Sequence, residues 1–212
     1  MNKETEHLET LTEIRSLMER SSRFISLSGL SGVCAGVFAL IGAAAAFLYL
    51  NLDILSEDYT AHVFQSNGRI KPGFLRFAII NASCVLVGSL VAGSFFTIRK
   101  SRLKGQTIWD KTAQRLVINL AIPLATGGVF CLLLLHHRLI GLIAPATLIF
   151  YGLALINASK YTLNDIRYLG FSEIVLGLLG CYFVWHGLLF WAIGFGVLHI
   201  VYGIVMYNKY EK

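Results

Sequence analysis

The chain has 212 residues, of which 56% are hydrophobic and only 14% charged, with a formal net charge of +6; soluble domains run nearer about 45–50% apolar and about 25% charged. Its apolar residues gather into uninterrupted runs of about twenty, the length that crosses a roughly 30 Å hydrocarbon core. This excludes an ordinary soluble domain and predicts an all-α polytopic membrane bundle whose main partner is the lipid bilayer; in that setting the positive charge sets topology, and no nucleic-acid partner is expected.

Residues 1–24 carry Leu8, Leu11, Ile14, Leu17 and Met18 at three-to-four spacing, with Glu19 and Arg23 as an i,i+4 pair, and predict a short amphipathic helix on the cytoplasmic side. Glu4, Glu6, Glu9 and Glu13 make its first half acidic, which favours packing on protein over docking on anionic lipid. The segment has no apolar h-region and no small-residue cleavage site, so the first span is expected to serve as the insertion signal.

The membrane domain is expected over 25–212, with spans at about 25–50, 74–98, 116–135, 139–158, 163–185 and 188–207. In the first span Ser28, Gly32 and Gly36 recur every fourth residue, a small-residue seam that lets helix backbones approach closely. Packing within the bundle and a homodimer contact are both open for it. The loop 51–73 contains Asn67-Gly68, suited to a type I′ turn in a small β-hairpin. After the second span come Arg99, Lys100, Arg102, Lys104, Lys111 and Arg115, opposed only by Asp110; such a basic loop stays in the cytoplasm.

His136-His137-Arg138 alone separates the third and fourth spans, which predicts a tight antiparallel pair. Pro123 and Pro145 lie inside these spans, and each frees the carbonyl four residues back, so both helices are expected to bend. Thr162 to Asp165 has the pattern of a capping box at the start of the fifth helix. Phe171 to Tyr207 would measure about 55 Å as one helix, too long for a bilayer, and the turn is expected at Trp185-His186-Gly187, with Trp185 and Trp191 at the outer interface. With six spans, fourteen Lys and Arg residues fall inside and four outside, at Arg69, Lys71, Arg76 and Arg138, which predicts cytoplasmic N- and C-termini.

Cys34, Cys84, Cys131 and Cys181 fall one to a run and read as buried thiols. The adjacent His136 and His137 point in different directions on a turn, and neither a metal nor another cofactor is expected. The chain lacks HExxH, GxSxG, Walker A and paired-carboxylate patterns, and no enzyme activity is expected.

Ionisable groups inside spans are functional candidates because lipid penalises them. Glu173 lies about 15 Å along the fifth helix from Leu163, and His199 about 12 Å back from Tyr207, so the two are expected to meet at similar depth. Asn119, Asn157 and Tyr202 fall in the same half and outline a candidate polar pocket. The pair can instead act as structural glue, satisfying itself or the carbonyls freed by Pro123.

The stretches IRSLMERSSRFISLSGLSGVCAG at Ile14 to Gly36 and LLFWAIGFGVLHIVYGIVMYNKYE at Leu188 to Glu211 resemble a family of small Bacteroidota inner-membrane proteins. The resemblance implies a bacterial inner-membrane location and brings no activity with it. Two functions are therefore expected: a non-enzymatic scaffold or accessory subunit acting through packing, as a homo-oligomer or with a membrane-protein partner; or a small channel or transporter using Glu173 and His199.

Overall fold

The computed structural model describes residues 28–51, 60–103, 105 and 109–212. The expected amphipathic helix over residues 1–24 lies outside these residues, as does Lys104. Helices account for nearly all of the described chain: α1 (Gly29–Leu50), α2 (Pro72–Leu103), α3 (Lys111–His136), α4 (Ile143–Ala158), α5 (Ile166–Tyr182) and α6 (Val184–Tyr210). Among the described residues five helical stretches are long and apolar enough to cross a membrane, namely α1, α2, α3, α6 and Ile140–Tyr161, which contains α4. The remaining helix, α5, has 17 residues, about 25 Å at about 1.5 Å per residue.

The helices pack in a fixed order: α2 against α1, α1 against α6, α6 against α4 and α5, α4 against α5 and α3. Glycines set the closest approaches. A Cβ on Gly203 of α6 would lie 2.6 Å from the Gly29 carbonyl oxygen and 2.6 Å from the Val33 nitrogen, and one on Gly36 would lie 2.6 Å from the Gly196 oxygen. The seam of Ser28, Gly32 and Gly36 is thus covered by α6 of the same chain. On the opposite face of α1, Tyr49 stacks on Phe77 with ring centroids 4.0 Å apart, and Asn81 Nδ2 donates to the Gly42 carbonyl at 3.0 Å. The hydrophobic stretch of α2 is otherwise uncovered, with Ile79, Ile80, Leu90, Val91 and Phe95 turned outward.

Several local expectations need correction. Among its described residues the loop before α2 holds one isolated antiparallel bridge, Phe64 with Ile70, rather than strands. Only Gly68 has positive φ, at 71°, and a type I′ turn needs two such residues. The bonds Gly68 N–H to Gln65 O and Gln65 N–H to Arg69 O instead make a type I turn closed by a left-handed glycine. The residues read as a basic loop are largely helical: Arg99, Lys100 and Arg102 end α2, and Lys111 and Arg115 begin α3, whose start Asp110 caps by accepting from the Ala113 amide at 2.6 Å. Pro145 bends nothing. It sits in the first turn of α4, where a missing N–H costs no helical bond. The fifth helix begins at Ile166, and the Asp165 carboxylate, expected to turn back onto the helix start, reaches Lys209 and Tyr210 instead. The thiols are free but not buried: Cys34, Cys131 and Cys181 are half-buried and Cys84 is exposed.

Pro123 does lie inside α3, and it leaves the Asn119 carbonyl without its helical donor. Asn157 of α4 supplies one, with Nδ2 at 2.9 Å from that oxygen and 3.3 Å from Asn119 Oδ1. The expected partners for this carbonyl, Glu173 and His199, take no part.

One end of α6 ties the bundle together. Glu211 accepts from the Gly29 amide at 2.5 Å and the Ser28 hydroxyl at 3.1 Å, and its carboxylate lies 3.3 Å from Lys100 Nζ at the end of α2. A carboxylate there is favoured by the unpaired N–H groups that begin α1. Lys209 and Tyr210 both reach Asp165 Oδ2 at 2.7 Å. Burial opposes ionisation of Asp165, but these hydrogen bonds and the Lys209 charge prevail and hold its carboxyl below the usual carboxylate range. Its folded value lies below its unfolded one, so the stabilisation is complete above the ordinary carboxylate pKa and is lost as pH falls through the lowered value. The start of α1, the end of α2, the start of α5 and the end of α6 therefore share one side. On the other, Arg138 Nη1 donates to the Gly68 carbonyl at 3.0 Å, joining the α1–α2 loop to the α3–α4 turn.

Replacing Asn157 by Leu should orphan the Asn119 carbonyl and cost about 1–2 kcal/mol. Adding Pro123→Ala should recover most of that, since an alanine amide restores the helical donor. Reversible unfolding in detergent checks both; a double variant no more stable than the single one would refute the pairing.

Candidate functional site

Three side chains converge where α4, α5 and α6 meet: Tyr151, Glu173 and His199. Small residues make the convergence possible. A Cβ on Gly152 of α4 would lie 2.5 Å from the Gly170 carbonyl of α5, and one on Gly170 would lie 2.8 Å from the Gly152 carbonyl, so α4 and α5 cross backbone to backbone. Glu173 follows one turn after Gly170 and stands at the middle of α5. Gly194 of α6 lies directly on its carboxyl group; a Cβ there would collide with Glu173 Oε2 and lie 2.6 Å from Leu148 Cδ2.

His199 is held from both ring nitrogens. Nε2 lies 2.9 Å from the Tyr151 hydroxyl and Nδ1 3.0 Å from the Gly194 carbonyl oxygen. The backbone of Ala192–Leu198, just before it, is π-helical, a distortion that recurs at functional sites. Aromatic rings close over the imidazole: Phe195 stacks on it at 5.7 Å, Tyr151 packs on Phe195 at 4.9 Å, and Trp191 backs Phe195 at 5.1 Å.

Glu173 is 0% exposed and His199 6%. His199 Nδ1 and Glu173 Oε1 are 3.3 Å apart, within ion-pair range, yet neither carboxyl oxygen has a hydrogen bond. The two observations agree once direction is considered. The Nδ1 proton is aimed at the Gly194 carbonyl, so the carboxyl has proximity without alignment. An unpaired carboxylate charge in such a place costs several kcal/mol, and the imidazole 3.3 Å away is the nearest group with which Glu173 can exchange a proton. The chemistry this arrangement can perform is proton binding and release.

The sequence-derived pair is thus brought together, but the rest of the predicted pocket is not. Asn119 and Asn157 bond to each other across α3 and α4, with Asn119 Nδ2 also donating to the Arg115 carbonyl at 2.8 Å. Tyr202 stands beside Leu169 and Asp165, nearer the clamp at the end of α6. His136 and His137 pack edge to face in their turn, centroids 5.2 Å apart. Tyr151 and Gly194 were missed. Tyr151 carries a signal that could have found it, since a phenol at mid-span depth must find a partner for its hydroxyl. Gly194 read as a packing position, and nothing in the sequence marks its carbonyl as an acceptor.

Gly194→Ala should force the Glu173 carboxyl or α6 to move and cost about 1–3 kcal/mol by overpacking, while Gly128→Ala, where an added Cβ meets nothing within 4 Å, should cost nothing measurable. Thermal unfolding of the two variants in one detergent checks this; equal midpoints would mean that Gly194 does not press on Glu173.

No protein-family model, curated protein or solved structure matches this chain, and Glu173, His199 and Tyr151 themselves carry the functional reading.

Proposed function

We propose that the chain is a six-span protein of a bacterial inner membrane, with both termini cytoplasmic, that works as a small proton-linked channel or transporter. The observation that carries this reading is the Glu173 carboxyl: enclosed, without a hydrogen bond, and 3.3 Å from an imidazole nitrogen. Buried polar groups are nearly always satisfied, and unsatisfied ones tend to have a task. Intramembrane ionisable groups mark proton and ion paths.

The orientation is supported by the fourteen-to-four distribution of Lys and Arg and by the two contacts that gather the ends of α2 and α6 with the starts of α1 and α5. The short α5 reaches from that side, at Asp165, to the turn Val184–His186, which favours its counting as a span. Reporter fusions at Arg102, Lys160 and Lys212 should read inside, and those at His137 and Gly187 outside; an outside signal at Lys212 would remove the six-span topology. The resemblance at Ile14 to Gly36 and Leu188 to Glu211 supports the inner membrane as its place.

In liposomes with an imposed pH gradient, the purified protein should dissipate the gradient, and Glu173→Gln and His199→Ala should each abolish that flux while Asn157→Ala retains it. Flux that persists in both pair variants would refute the proton path.

A non-enzymatic scaffold or accessory subunit is the second reading. It is favoured by the enclosure of the pair and by the outer face of α2, which no other part of the described chain covers. Absence of flux together with cross-linked dimers or a co-purifying membrane protein would put this reading first.

A further inference from the structure

Three groups surround the His199 ring at its polar edge, and they differ in what they can do. The Gly194 carbonyl oxygen, 3.0 Å from Nδ1, can only accept. The Tyr151 hydroxyl, 2.9 Å from Nε2, can donate or accept. Glu173 Oε1 is 3.3 Å from Nδ1 and is not aligned with it. The carbonyl therefore requires a proton on Nδ1, and in a neutral ring Nε2 is then bare and must accept from the phenol.

We infer that the Gly194 carbonyl and Tyr151 together position His199: the carbonyl fixes the neutral ring as the Nδ1–H tautomer, with that nitrogen beside Glu173, and Tyr151 is the positioning residue that donates to the bare Nε2. The proton nearest the carboxyl is bonded to the Gly194 carbonyl, while the bare nitrogen at which the ring can take up another proton faces Tyr151 of α4. The aromatic wall gives the arrangement its rigidity, because Phe195 lies parallel to the imidazole within 21° and Tyr151 packs on Phe195 as well as on His199. With Phe195 on its face and Gly194 at its edge, the ring has little freedom to turn over and exchange its nitrogens. The groups facing it are Glu173 from α5 and Tyr151 from α4; α1 meets this stretch of α6 through Gly32, against the His199 carbonyl, and Gly36, and adds no charge there.

This assignment deepens the proton-linked reading and rests on it for its purpose, but the tautomer can be read without any transport. Nitrogen-15 NMR of the full chain in lipid nanodiscs at neutral pH, with the His199 signals identified by their loss in His199→Gln, should show a protonated Nδ1 and an unprotonated Nε2. In Tyr151→Phe the phenol is gone while the Gly194 carbonyl remains, so Nδ1 should stay protonated and the Nε2 resonance should move toward that of a bare nitrogen that accepts no hydrogen bond. An Nε2–H ring or an imidazolium in the wild type would overturn the inference, and so would a Tyr151→Phe spectrum in which the Nε2 resonance does not move. The wild-type measurement stands alone if the variant does not fold. The expected tautomer without proton flux would remove the transport reading and leave Tyr151 in its role; flux with the opposite tautomer would do the reverse.

Discussion

Helices inside a membrane gain no hydrophobic advantage from touching, because lipid tails are as apolar as leucine. They must be drawn together by close packing and by polar groups that lipid cannot satisfy. In this chain both meet on α6. Gly203 and Gly196 bring its backbone onto α1, and Gly194 brings it onto Glu173. Any side chain at Gly203 would strike the backbone of α1 itself, which cannot fold away as a rotamer can. The rest of the arrangement follows: α1 is held against α6 and carries α2 on its far face, while α4 and α5 cross through Gly152 and Gly170 and present Tyr151 and Glu173 to the same helix.

Against this background the polar contacts divide into two kinds. Asn157 with the Asn119 carbonyl, Asp165 with Lys209 and Tyr210, and Glu211 with Lys100 and the start of α1 each answer a need that sequence and helix geometry create: a carbonyl released by proline, a loop to be fastened, unpaired N–H groups at a helix start. Glu173 answers none. It accepts no hydrogen bond, and a leucine-sized apolar side chain in the same place would escape the desolvation penalty that a carboxyl incurs. The carboxyl of Glu173 lies 3.3 Å from an imidazole and meets no structural need of this kind, which is why the proposed function rests on it.

Much of this was legible in the sequence, and the reason is the length scale of each signal. Runs of apolar residues identify spans because lipid thickness acts on some twenty residues at once, and the meeting of Glu173 with His199 follows from simple depth along two helices. That a turn must follow α5 comes from length alone, but it lies at Phe183–His186, ahead of the expected Trp185-His186-Gly187, and Gly187 is helical and makes no bend. What could not be read depends on a single torsion or a single partner. Pro145 and Pro123 look alike in sequence, yet one opens a helix and the other interrupts one. Asp165 sits where a capping residue would, but the end of α6 offers it an amine and a phenol. The π-helical stretch at Ala192–Leu198 leaves no periodic trace, and without it nothing points to the Gly194 carbonyl.

On the proposed proton-linked reading, the position of that stretch gives a change at the pair a route into the backbone. The end of α6 is fastened twice, at Glu211 and at Lys209 with Tyr210, and its beginning is fixed by the tight turn that follows α5. Between those points the helix is packed through glycines against backbone, where sliding would meet carbonyl oxygens at once. A change in the hydrogen bonds of His199 has to be absorbed where the ladder is already irregular. Ala192–Leu198 is that place, and it holds both the carbonyl to which His199 is bound and the glycine that lies on Glu173.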